Sequence, residues 1–158
     1  MRIETWVIGD TTFDFIETGT DLYHKRILGF LPSYDWVVLP AIKNAKSLSE
    51  DQIKQKEADL LLKKFDPSDF VLLLDEHGKT YTSLAFAERL EGLLQMPHKR
   101  IIFVIGGAYG FDERIYDRAN GKISLSEMTF SHQIIRVIWA EQLYRAFSIL
   151  HNQPYHHE

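Results

Sequence analysis

Three glycines crowd the end of one apolar run in IIFVIGGAYG, where Ile101 to Ile105 give way to Gly106, Gly107 and then Gly110. Glycine admits positive φ and lets a backbone approach a ligand closely, although a tight strand-to-helix turn needs the same permissiveness. A phosphate cradle is the first chemistry to consider. The run lacks the Lys-Ser or Lys-Thr ending of a P-loop and does not match G-x-G-x-x-G, so phosphate and dinucleotide cofactors lose ground. Two other segments read as loops at strand ends: LLLDEHGK, Leu72 to Lys79, and ISLSEMTF, Ile123 to Phe130. Together the three describe a pocket in which Leu74, Leu125 and Met128 supply apolar contacts, while backbone groups around Gly106 and from Ser126 to Phe130 supply hydrogen bonds. That lining suits a purine and a thioether better than a pyrophosphate. Standing alone, Met128 reads more readily as core packing.

The elements that must hold those loops follow from periodicity. Apolar, β-branched runs at Ile3 to Ile8, Trp36 to Leu39, Phe70 to Leu74 and Ile101 to Ile105 predict buried strands, with a shorter fifth at Lys122 to Leu125. Helical spacing places Phe15, Gly19, Leu22, Arg26, Ile27 and Phe30 on a common side. Ser49 and Gln52 form a capping box ahead of Ile53, Leu60 and Leu61, and a third helix runs from about Ser83 to Leu94. Strand alternating with helix predicts an α/β fold, a mostly parallel sheet with helices on both faces, because parallel neighbours need crossover connections. At 158 residues the chain is expected to form a single domain, 1–158.

The last helix, expected from about Ser131 to Leu150, is apolar around most of its circumference. Such a helix must be buried on several sides. One side can pack on the sheet while another meets a second subunit, which predicts a homodimer; a helix wedged within the monomer is the alternative.

Composition removes several chemistries. With no cysteine there are no disulfides, thiolate metal sites or cysteine nucleophiles, and a reducing compartment fits. The N-terminus lacks the apolar core of a signal peptide and no run is long enough to cross a bilayer, so a cytoplasmic, non-membrane protein is expected. A net charge of −4 argues against broad electrostatic binding of nucleic acid, leaving local contacts through groups such as Lys54, Lys56, Lys63 and Lys64, or Arg136 with Arg145. Taken one at a time, each of these groups reads better as part of a solvated face. His156, His157 and Glu158 end the chain without a second ligand cluster, so no metal is expected.

The C-terminal third, in particular FVIGGAYGF, ISLSEMTFSHQIIRVIWAEQLYRAFSI and PYHHE, closely resembles the RlmH family of SPOUT methyltransferases, with weaker likeness in LDEHGK and KEAD extending it along the chain. The resemblance implies a C-terminal trefoil knot, an obligate homodimer and S-adenosylmethionine as methyl donor. It also implies methylation of the N3 nitrogen of a pseudouridine in large-subunit ribosomal RNA, on the assembled ribosome. Carried over position by position, the cofactor contacts implied are Leu74, Gly106, Leu125, Ser126, Glu127, Met128, Thr129 and Phe130. The chain departs from the family at Ser131 and Ala108, and at Glu127, where many members have Lys; side-chain contacts at Glu127 lose support, backbone contacts do not.

An imide nitrogen between two carbonyls is mildly acidic, and a nearby cation favours its anion. Arg136 or a neighbouring basic group is expected to stabilise that anion and His132 to accept or relay its proton, with a structural hydrogen bond at the helix end as the equal alternative for His132. Tyr155 and His156 of the tail are candidates for reaching the pocket or substrate, against a merely flexible terminus. Glu141 and Arg145, four apart, read as an intrahelical ion pair. Two rival functions remain open: a SPOUT methyltransferase acting on transfer RNA, and a noncatalytic ribosome-binding or assembly protein.

Overall fold

The computed structural model describes residues 1–157; of the PYHHE tail, Glu158 lies outside the described residues. Strands β1 (Arg2–Ile8), β2 (Asp35–Leu39), β3 (Phe70–Thr80), β4 (Arg100–Ile105) and β5 (Gly121–Ser124) form one sheet in the order β2-β1-β4-β3-β5. Every neighbouring pair is parallel. All carboxyl ends therefore lie on one edge, where an α/β sheet offers its crevice.

The helices are α1 (Asp14–Leu28), α2 (Glu50–Lys64), α3 (Ser83–Leu94), α4 (Glu113–Arg118) and α5 (Ile134–Leu150). Alternation along the strands divides the core. Ile3, Val7, Ile101, Phe103 and Ile105 point to one face, where residues of α1, α3 and α5 cover them. Trp6, Ile8, Val71, Leu73, Ile102 and Val104 point to the other, under α2 and α4. Near-continuous apolar strands are what a sheet covered on both faces requires. The capping box forms as expected: Ser49 Oγ accepts from the Gln52 amide at 3.2 Å and Gln52 Oε1 accepts from the Ser49 amide at 2.9 Å.

Several boundaries differ from expectation for identifiable reasons. β3 continues six residues past Leu74, with a register shift against β5 between Leu74 and Lys79. The expected loop LLLDEHGK is thus a strand that bulges at the carboxyl edge. α4 escapes periodicity because it is six residues long; it starts where Asp112 accepts from the Arg114 amide. α5 begins at Ile134 rather than Ser131, whose hydroxyl accepts from the Ile134 amide at 3.1 Å. α1 is rotated from its expected orientation. Ile16, Thr20 and Ile27 are its buried residues, whereas Phe15 is 65% and Leu22 45% exposed. Its inward face is chosen by α5, because a Cβ on Gly19 would meet Val137 Cγ2 at 2.8 Å.

Candidate functional site

The carboxyl edge of the sheet opens into a cavity of about 430 Å³. Its walls are the bulged end of β3, the loop after β4 and the loop after β5, the three segments that the sequence places together. Leu74, Gly106, Leu125, Ser126, Met128, Thr129 and Phe130 all line it, as does His132. Glu127, exposed, is not among the lining residues.

Each wall has a local cause. The loop after β5 is folded on itself: Ser124 Oγ donates to the Ser126 carbonyl at 2.9 Å, and Ser126 Oγ accepts from the Met128 amide at 3.0 Å. Thr129 Oγ1 then donates to Glu76 Oε2 at 2.8 Å, tying that loop to the β3 bulge. Met128 is left 78% exposed, so it is not a core residue. Asp75 accepts from the His77 amide at 2.8 Å and from the Tyr116 hydroxyl, which brings α4 to the same wall.

The glycines serve space more than backbone angle. Only Gly110 of the three has positive φ, at 81°. A Cβ at Gly106 would meet the Phe111 ring at 3.1 Å, and a Cβ at Gly107 would strike the Glu57 carboxyl. The loop after β4 thus lies flat on its supports and leaves its main chain facing the cavity. Glu57, from the KEAD segment of α2, is 8% exposed, and its Oε1 finds no hydrogen-bond partner among the described residues. Burial raises its carboxyl from 4.5 to about 7. Glu57, Asp75, Glu76, Tyr109 and Tyr116 were not singled out from sequence; LDEHGK and KEAD contain three of them, without any periodic signal that marks them.

Arg136 does not reach the cavity. It is 1% exposed, and its guanidinium donates to the carbonyls of Ile8 and Gly9 at 2.9 Å each, to Thr11 Oγ1 at 3.1 Å and to the His132 carbonyl at 3.4 Å. A planar fork is suited to such convergent acceptors. The expected direct role on a substrate anion gives way, in this geometry, to clamping the end of β1 against the start of α5. His132 occupies the cavity wall instead. Burial, and secondarily the Arg136 charge, hold its imidazole below the usual range, so it is neutral near pH 7 and able to accept a proton.

Tyr155 also lies away from its own chain's cavity. Its hydroxyl donates to Glu141 Oε1 at 3.2 Å and sits 3.4 Å from the Tyr23 hydroxyl, while its ring packs edge-on to Tyr144 and under Arg145. Burial, with the Tyr23 bond and the Glu141 charge, raises its phenol well above the ordinary range. The tail is thereby docked on α1 and α5, with His156 Nδ1 3.0 Å from Arg145 Nη1. The Glu141–Arg145 ion pair forms at 2.6 Å. Among the described residues, no group of three or more His, Asp and Glu gathers to hold a metal, and no helix is long and apolar enough to cross a membrane.

The whole defines an α/β protein with a cavity at the carboxyl edge of a parallel sheet and the His132 imidazole on its wall. Residues 1–156 match the family model described as "Predicted SPOUT methyltransferase", and the chain belongs to that family. It is 49% identical, over the full length of both chains, to proteins named Ribosomal RNA large subunit methyltransferase H from Parabacteroides distasonis and Flavobacterium johnsoniae. It is 50% identical to the protein of that name from Phocaeicola vulgatus, again over both full lengths.

Proposed function

We propose that this protein methylates the N3 nitrogen of a pseudouridine in large-subunit ribosomal RNA on the assembled ribosome, with S-adenosylmethionine as donor. The single observation that carries the reading is the three-loop cavity with His132 on its wall, in a chain whose full-length relatives are named for ribosomal RNA methylation. The cavity fits such a donor. About 430 Å³ lies within the range of small-molecule sites, Leu74 and Leu125 offer an apolar wall, and the flat loop at Gly106 and Gly107 exposes main-chain groups.

Bound there, S-adenosylmethionine supplies an electrophilic methyl group. The protein's own residues do the rest. Leu74, Gly106, Leu125, Ser126 and Met128 to Phe130 hold and orient it, and orientation supplies much of the rate. His132, neutral at working pH, takes the N3 proton from the acceptor imide and passes it to water. Arg136 acts through His132: it fixes the α5 start by its bond to the His132 carbonyl, and its charge helps keep the imidazole unprotonated.

The working unit is a homodimer, with the partner docking on the half-buried apolar flank of α5 that includes Ile134 and Ile138. Since Tyr155 lies off its own chain's cavity, any contact of the tail with an active site comes from the second copy. The C-terminal segment is threaded as the trefoil knot typical of SPOUT proteins, and the ribosomal substrate places the protein in the cytoplasm.

Purified protein, labelled donor and ribosomes from a strain lacking the gene test the reading. A single methyl group on a large-subunit pseudouridine, located by mass mapping, is the expected result. Label on transfer RNA alone, or donor affinity without transfer to any RNA, overturns it.

A further inference from the structure

We infer that Asp75 and Glu76 form an anionic wall that reads the charge of the methyl donor, favouring the cationic sulfonium over the neutral thioether left once the methyl group has gone. The inference rests on the donor reading given above and adds to it the residues that tell a fresh donor from a spent one.

Both residues line the cavity, on the stretch where β3 bulges away from β5. Their carboxylates are held by neutral partners. Asp75 accepts from the His77 amide at 2.8 Å and from the Tyr116 hydroxyl, and Glu76 Oε2 accepts from Thr129 Oγ1 at 2.8 Å on the loop after β5. Among the described residues neither carboxylate pairs with a lysine or arginine; the one ion-pair contact is His77 Nε2, 3.5 Å from Glu76 Oε1, on an imidazole 76% exposed. Elsewhere the chain neutralises part-buried acids, pairing Asp69 with Arg100, Asp112 with Arg114 and Glu141 with Arg145. Lys54, the one ammonium among the described lining residues, lies 3.4 Å from Asp51 and is compensated there. Lys122 Nζ stands 5.2 Å from the Tyr116 ring centre and pairs with neither carboxylate. The Tyr116 phenol registers the field: burial first, then its bond to Asp75 and the charges of Asp75 and Glu76, raise it well above the ordinary range.

Charge selects the occupant. Such a wall repels phosphodiesters, so its use lies with the small molecule rather than with the RNA backbone. Among the described residues, the two carboxylates belong to no group of three that could hold a metal ion. A cavity of about 430 Å³ is on the order of a Debye length across, roughly 10 Å at 0.1 M salt, so wall charges act on its occupant without full screening. S-adenosylmethionine and the S-adenosylhomocysteine left after transfer share their adenosyl and amino-acid groups and differ in one methyl group and one positive charge. Apolar contacts at Leu74 and Leu125 treat the two nearly alike, and the wall does not. Because that charge disappears in the reaction, the wall stabilises the bound donor rather than the transition state. Its effect is read in affinity, not as a gain in kcat.

Calorimetry on the full-length protein, with S-adenosylmethionine and with S-adenosylhomocysteine, compares the parent with Asp75→Asn/Glu76→Gln, with Glu76→Gln alone and with Tyr116→Phe. A charge on a half-exposed wall changes affinity roughly twofold to fivefold. The double variant is expected to weaken S-adenosylmethionine binding at least about fivefold and S-adenosylhomocysteine binding less than about twofold. Glu76→Gln, made on a side chain 51% exposed, is expected to lower the preference for the sulfonium about twofold by itself, which decides the matter if the double variant fails to fold. Tyr116→Phe removes a hydrogen bond and keeps both charges, so the two ligands shift together. Raising salt from about 0.05 to about 0.5 M brings the parental preference toward that of the double variant. Equal weakening of both ligands by the charge variants, or none, overturns the wall. A parent that binds neither ligand at millimolar concentration overturns the donor reading and the wall together. Charge-selective binding without methylation of ribosomal particles overturns the ribosomal reading and leaves the wall standing.

Discussion

Replacing Glu57 by Gln isolates one buried carboxyl under the loop after β4. In the folded chain this group titrates at about 7 rather than 4.5, because burial beside Gly107 disfavours its charge. Below about 4.5 folded and unfolded chains both hold the proton, and Glu57 takes nothing from stability. Between 4.5 and about 7 only the unfolded chain releases it, so stability falls as pH rises; above 7 the loss is constant. The full displacement corresponds to about 3 kcal/mol, and screening by the nearby cavity reduces that to about 2 kcal/mol. Gln has the neutral shape at every pH. Urea unfolding at fixed protein concentration should therefore find the variant about 2 kcal/mol more stable than the parent at pH 8.5, roughly 4 to 8 °C in Tm, with a difference near zero at pH 4.5. A difference that does not change with pH, or a variant weaker at pH 8.5, refutes the assignment of the raised Glu57 titration to burial.

Other expectations concern the same edge of the sheet. Gly107→Ala drives a methyl group into the Glu57 carboxyl, which should displace the loop at about 1–3 kcal/mol and lower donor affinity about tenfold by calorimetry; shortening the partner in Gly107→Ala/Glu57→Ala should recover part of it. His132→Ala should cut kcat about a hundredfold and abolish the acidic limb of the pH–rate profile, whereas an unchanged profile removes the proton role. Arg136→Met strands the carbonyls of Ile8 and Gly9 and should destabilise by about 3 kcal/mol in urea, with kcat falling through a misplaced His132. Equilibrium sedimentation at micromolar protein should show a dimer; monomer alone contradicts the role given to α5.

What the chain alone determines is local. Strand runs, the Ser49–Gln52 capping box and the helix Ser83–Leu94 were legible because their signals lie within a few residues of each other. So was the meeting of the three cavity segments at one edge, since parallel strands put their carboxyl ends together once alternation with helices is recognised, although the first of them is a bulged strand rather than the loop expected. Only the tertiary structure decided the fate of individual polar groups. Arg136 looks from its spacing like a free cation beside His132, yet its acceptors lie some 125 residues away at the end of β1. Glu57 reads as an ordinary helix carboxylate until α2 lies beneath Gly107. The face α1 turns inward was set by contact with α5, leaving Phe15 outside although helical spacing grouped it with Ile27. Periodicity reports which residues share a side of an element; which side meets a partner depends on burial and hydrogen bonding between segments far apart in the chain.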